Sequence, residues 1–98
     1  MDEQAKKVAE LLKILANANR LLILCALIES PLTVGEIYTH TPNITQSALS
    51  QHLNHLKTAG ILDSERSGMN VVYSIADERV IALIKALEYH YCRQEVYK

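Results

Sequence analysis

The sequence predicts a mainly α-helical domain with a small β-hairpin. Three observations lead there. Apolar residues recur at helical spacing before residue 60 and again after residue 77, two short strand-like runs flank a turn, and 98 residues leave room for one compact core. A domain this small leaves much of its apolar surface uncovered, so self-association is expected from size alone.

Val8, Leu11, Leu12 and Leu15 fall on one helical stripe with Lys6, Lys7, Glu10 and Lys13 between them, which predicts an amphipathic helix over about 3–16. Asn17 to Asn19 break the pattern and supply a cap for the second helix. From Arg20 the run RLLILCALIE is apolar on every side up to Glu29, as in a helix buried at the centre of a domain; Ser30 and Pro31 end it. Thr33 and Glu36 stand at capping-box spacing before a short helix that turns Val34 and Ile37 inward and ends near Thr39. After the loop HTPNI, Thr45 caps a longer helix to about Ala59, closed by Gly60.

On that longer helix Leu49, Leu53 and Leu56 form one face, and Gln46, Ser47, Ser50, Gln51, Asn54 and Lys57 the opposite one. A merely solvated helix more often carries Glu and Lys, so this neutral, hydrogen-bonding face favours a surface that reads something. Residues 61–66 and 71–75 form the hairpin strands around Ser67, Gly68, Met69 and Asn70. Asp77 then opens a last helix to about Val96, with Val80, Ile84, Leu87 and Tyr91 on one stripe. The expected order is α-α-α-α-β-β-α in a single domain, 1–98. Two helices around a short turn, the second with a polar outer face, followed by a hairpin, make a winged helix-turn-helix; an unrelated small α+β domain is the competing architecture.

Composition narrows the function. No apolar run approaches the roughly 20 residues that span a bilayer, and the start MDEQAKKVAE lacks a secretory signal, so a cytoplasmic protein with no membrane partner is expected. No paired carboxylates, nucleophile triad or phosphate-cradling loop stands in a chain with three glycines, which argues against an enzyme. Two cysteines are too few for a disulfide scaffold, and in a reducing compartment a bond between them is regulatory. The formal net charge of −1 is not the basic footprint usual for DNA binders. DNA binding must therefore rest on residue placement, helix dipoles, backbone amides and dimerisation; a winged-helix interaction module that binds no DNA is the competing reading.

NANRLLILCALIE, TVGEIYTHTPNITQSALSQHLNHLKTAGIL and ERSGMNVVYSI together resemble the arsenic-repressor (ArsR/SmtB) family over residues 8–92. The resemblance implies a repressor that binds double-stranded operator DNA as a homodimer built on its first and last helices, and leaves it on meeting an inducer. Gln46, Ser47, Ser50, Gln51 and His52 match DNA-facing positions of the family's recognition helix. Gln pairs bidentately with adenine edges, and Ser takes base or phosphate partners. Arg66 and Asn70 match the wing tip, where Arg meets phosphate or a minor groove, although Glu65 beside it weakens the local attraction. The alternative is that Ser47 only caps the first turn and His52 packs against the hairpin.

The family's metal sites do not carry over. The thiolate type needs cysteines where this chain has VGEIYTH. The zinc type uses an Asp-x-His pair and a His-x-x-Glu pair in the last helix; here Asp77 and His90 keep two positions while Arg79 and Arg93 take the others. A guanidinium has no lone pair to offer, and His40, His52 and His55 lack ligand spacing, so no metal and no cofactor is expected. A metal-responsive repressor of the same family stays as an alternative. Cys25 in LLILC and Cys92 in YHYC resemble the family's sulfide- and redox-responsive branch. That resemblance implies a persulfide or oxidant inducer that links the two cysteines reversibly, by a disulfide or polysulfide, and lowers DNA affinity. The bland alternative makes Cys25 a small hydrophobe in a buried helix.

Overall fold

A computed structural model describes residues 2–92, with backbone alone at Cys92. In chain order it runs α1 (Asp2–Leu15), α2 (Ala18–Leu27), β1 (Leu32–Thr33), α3 (Val34–Thr39), α4 (Gln46–Thr58), β2 (Leu62–Ser67), β3 (Asn70–Ile75) and α5 (Glu78–Leu87), continued by a π-helical segment, Glu88–Cys92.

The helices start where the sequence supplies acceptors for their orphan N–H groups. The Asn17 side chain accepts from the Asn19 and Arg20 N–H groups at 3.0 and 3.1 Å. Thr33 Oγ1 accepts from the Glu36 N–H at 3.2 Å while Glu36 Oε1 accepts from the Thr33 N–H at 2.9 Å, completing the capping box. Thr45 Oγ1 accepts from the Ala48 N–H at 3.0 Å. At the far end of α4, Gly60 takes φ +81°, and the Gly60 and Ile61 N–H groups return to the Lys57 and Leu56 carbonyls, both at 3.0 Å. That is a Schellman stop, which favours glycine at the left-handed position.

The sheet is antiparallel in the order β1-β3-β2. Its first strand was not expected. Leu32 and Thr33 pair with Tyr73 and Val72, and two residues are too few to show a period. The wing therefore has three strands where the sequence indicated two. The hairpin turn is also shorter: Ser67 pairs with Asn70, leaving Gly68 and Met69 as the loop. Gly68 has φ +62° at the first loop position, where a type II′ turn requires glycine.

Leu49, Leu53 and Leu56 of α4 share one core with Ile23, Leu24 and Leu27 of α2, Ile37 of α3, Ile61, Leu62, and Val80 and Ile84 of α5. Helix α2 is not buried all round as its composition suggested, since Leu22 is 46% exposed. The last helix also departs from expectation. Its α geometry stops at Leu87 and gives way to the wider π segment, while Tyr91, among the apolar residues expected to exceed what one domain buries, is 73% exposed in the single chain. Val96 lies outside the described residues. Among the described residues, no helix is long and apolar enough to cross a membrane.

Candidate nucleic-acid interface

The three leucines that anchor α4 fix which side of it faces outward. Gln46, Ser47, Ser50 and Gln51 are exposed, as are Asn54 and Lys57 further along. Because Thr45 takes the Ala48 N–H, the Gln46 and Ser47 N–H groups have no intrahelical acceptor and sit at the positive end of the helix dipole. The start of α4 thus presents backbone donors and neutral side-chain donors and acceptors together.

Arg66 and Asn70 lie at the exposed end of the hairpin. Strand alternation puts Arg66 on the ribbon face of Leu62 and Ser64, and Glu65 on the opposite face. Asn70 pairs with Ser67 and so shares the face of Glu65, which separates it from Arg66.

His52 behaves differently from its neighbours. It is half-buried, and its Nδ1 accepts from Arg20 Nε at 3.3 Å. Arg20 Nη1 also donates to the Ile14 carbonyl at 2.9 Å. Its two bonds thus connect the end of α1 to α4 through the first turn of α2. Burial, then the Arg20 charge and then His55 hold the His52 imidazole below its usual pKa. Sequence reasoning did not single out Arg20. A signal was present: a cation in the first turn of an otherwise apolar helix opposes the macrodipole and needs another use.

Cys25 is half-buried in α2 against the core. The Cys92 side chain lies outside the described residues, as does Arg93. At the start of α5, Asp77 Oδ1 accepts from the Arg79 N–H at 2.9 Å and from Arg79 Nε at 3.1 Å, while Oδ2 accepts from Arg79 Nη2 at 2.9 Å. These bonds hold the Asp77 carboxyl below its usual pKa, the side-chain bond from Arg79 being the largest cause. Among the described residues, no three His, Cys, Asp or Glu side chains gather as a metal site. On α1, Val8 and Leu12 are 54% and 48% exposed, an apolar strip left uncovered by the single chain.

The family profile described as "Bacterial regulatory protein, arsR family" matches residues 17–64, which take in α2 through the start of β2. Reduced HlyU from Vibrio cholerae is 38% identical and superposes with a TM-score of 0.88, covering 94% of this chain and 96% of that one. The transcriptional repressor BigR from Xylella fastidiosa is 35% identical with a TM-score of 0.83, covering 97% and 93%. A homodimeric winged helix-turn-helix DNA-binding domain from Mycobacterium bovis is 29% identical with a TM-score of 0.78, covering 99% and 89%. Such relatives are regulators and not enzymes. Identity at this level over nearly the whole chain, on the same winged helix-turn-helix fold, establishes that the protein belongs to the ArsR family of bacterial transcriptional regulators.

Proposed function

We propose that the protein is a homodimeric repressor that binds operator DNA through α4 and the wing, and leaves it when a persulfide or oxidant modifies Cys25 and Cys92. The observation that carries the DNA reading is the outer face of α4, where Gln46, Ser47, Ser50 and Gln51 stand exposed beside uncapped N–H groups. Gln51 and Ser50 read base edges, Gln46 and Ser47 meet the groove near the helix start, and Arg66 and Asn70 hold the flanking backbone. A helix N-terminus and oriented side chains supply local positive potential that a net charge of −1 does not reveal. The repressor named BigR and the dimeric DNA-binding domain of Mycobacterium bovis support this reading. Titration with promoter duplex at several salt concentrations tests it. Tight binding with a slope near −0.9 per phosphate contacted is expected, whereas a protein-interaction module would give no binding.

For the switch, a cysteine thiolate attacks the sulfane sulfur of a persulfide, giving a protein persulfide and releasing the carrier thiolate. The second cysteine thiolate then attacks that persulfide and displaces hydrosulfide, leaving a bond that cellular thiols reduce. Additional inserted sulfur atoms relax the roughly 7 Å Cα limit of a direct disulfide. Support comes from Cys25 on α2, which packs against α5, and from the backbone of Cys92 just beyond α5. A link there would tie the core that carries α4 to the last helix, and so alter the spacing of the two recognition helices in a dimer.

A further inference from the structure

Arg20 and His52 are distant in sequence and meet where α1, α2 and α4 converge. Arg20 Nε donates to His52 Nδ1 at 3.3 Å and Nη1 donates to the Ile14 carbonyl at 2.9 Å. A guanidinium only donates, so His52 Nδ1 is an acceptor without a proton, and a neutral imidazole in that state carries its proton on Nε2. Among the described residues Nε2 has no hydrogen-bond partner, and no buried side-chain nitrogen is left unpaired, so Nε2–H reaches solvent. His52 lies one turn from Leu49 and Leu56, on the border between the core face and the polar face of α4.

We infer that Arg20 is a positioning residue for DNA binding: it locks His52 as the Nε2–H tautomer, and that N–H donates to a backbone phosphate oxygen of duplex DNA. The inference rests on the DNA-binding reading above. Phosphate is the fitting acceptor because the border of a helix seated in a groove faces the groove wall rather than the base edges. Among the described residues, the charged and titratable groups that act on His52 are Arg20 from α2 and His55 from its own helix, and α1 contributes the Ile14 carbonyl that fixes Arg20. Burial and the Arg20 charge oppose a second proton, so the donor stays neutral and adds no ion pair to binding. Without Arg20, His52 takes its proton nearer the ordinary value of about 6.5, and the same contact becomes an ion pair.

The first test needs no DNA. Long-range 1H–15N spectra of the wild-type protein are expected to show His52 protonated at Nε2 and bare at Nδ1; a proton on Nδ1 overturns the inference. The second uses a duplex selected by the wild-type protein from a random-sequence pool. His52→Asn keeps an acceptor near Nδ1 but offers no outward donor, and its affinity is expected to fall about tenfold or more. His52→Gln places an amide N–H near Nε2 and is expected to recover part of the affinity that His52→Asn loses. Arg20→Gln should steepen the salt slope by about one phosphate between about pH 8 and pH 6, while the wild-type slope is the same at both. Undiminished binding by His52→Asn, or a pH-independent slope in folded Arg20→Gln, overturns the positioning role and leaves DNA binding intact. If Arg20→Gln fails to fold, the wild-type spectra and the His52 pair decide. Wild-type protein that selects no duplex overturns the DNA reading and the phosphate contact with it.

Discussion

Arg79 grips Asp77 with a two-pronged hydrogen bond, Nε to Oδ1 at 3.1 Å and Nη2 to Oδ2 at 2.9 Å, on the same carboxylate that caps α5. Asp77 is thus committed twice, to the helix and to a cation that stands where the zinc-sensing pattern has histidine. One equivalent of zinc is expected to leave DNA affinity unchanged, as read by a binding titration with and without chelator. Asp77→Ala should cost about 1 kcal/mol of stability in urea through the lost cap. Zinc-driven release of DNA would return the chain to a metal-responsive mechanism.

Acid should weaken the Arg20–His52 link. The folded chain holds the His52 pKa below its ordinary value of 6.5, so folding favours the neutral ring. Its contribution to stability is full above about pH 6.5 and is lost as pH falls through the lower folded value. The urea midpoint of the wild-type protein should therefore drop between about pH 7 and pH 5 by more than that of His52→Gln. Equal drops would mean that His52 does not titrate differently on folding.

The strip of Val8 and Leu12 on α1 is the expected dimer seam, completed by the last helix. Leu12→Glu sets an unpaired carboxylate into that seam and should give a monomer by sedimentation velocity, with the wild-type protein a dimer. Wild-type monomers at micromolar concentration in both oxidised and reduced samples would contradict the homodimer.

Intact mass after treatment with a persulfide donor should show a link between Cys25 and Cys92 within one subunit, together with release of DNA. Cys25→Ser and Cys92→Ser should each stay bound. A persulfide response retained by the double Cys→Ser variant would remove the cysteines from the switch.

Much of this architecture was legible in local chemistry. The Thr33–Glu36 capping box, the Thr45 cap, the Gly60 stop and the Leu49–Leu53–Leu56 face are short-range patterns, and the structure keeps each of them. What escaped was nonlocal or too short to have a period. Strand β1 exists because Leu32 and Thr33 meet β3, far along the chain, and the π segment after Leu87 has no periodic signature. The residues of the polar α4 face were visible on a helical wheel. The engagement of His52 by Arg20 was not, because it joins two helices whose separation in space the sequence does not give.

The most direct test compares the wild-type protein with Ser50→Ala, Gln51→Ala and Arg66→Ala on a selected operator duplex and on a scrambled duplex of equal length. Ser50→Ala and Gln51→Ala should each reduce discrimination between the two by about 1 to 3 kcal/mol, because they remove contacts to base edges. Arg66→Ala should weaken both duplexes alike, because it removes a contact to the backbone. Binding to both duplexes that none of the three substitutions alters would contradict the claim that α4 and the wing form the DNA-reading surface.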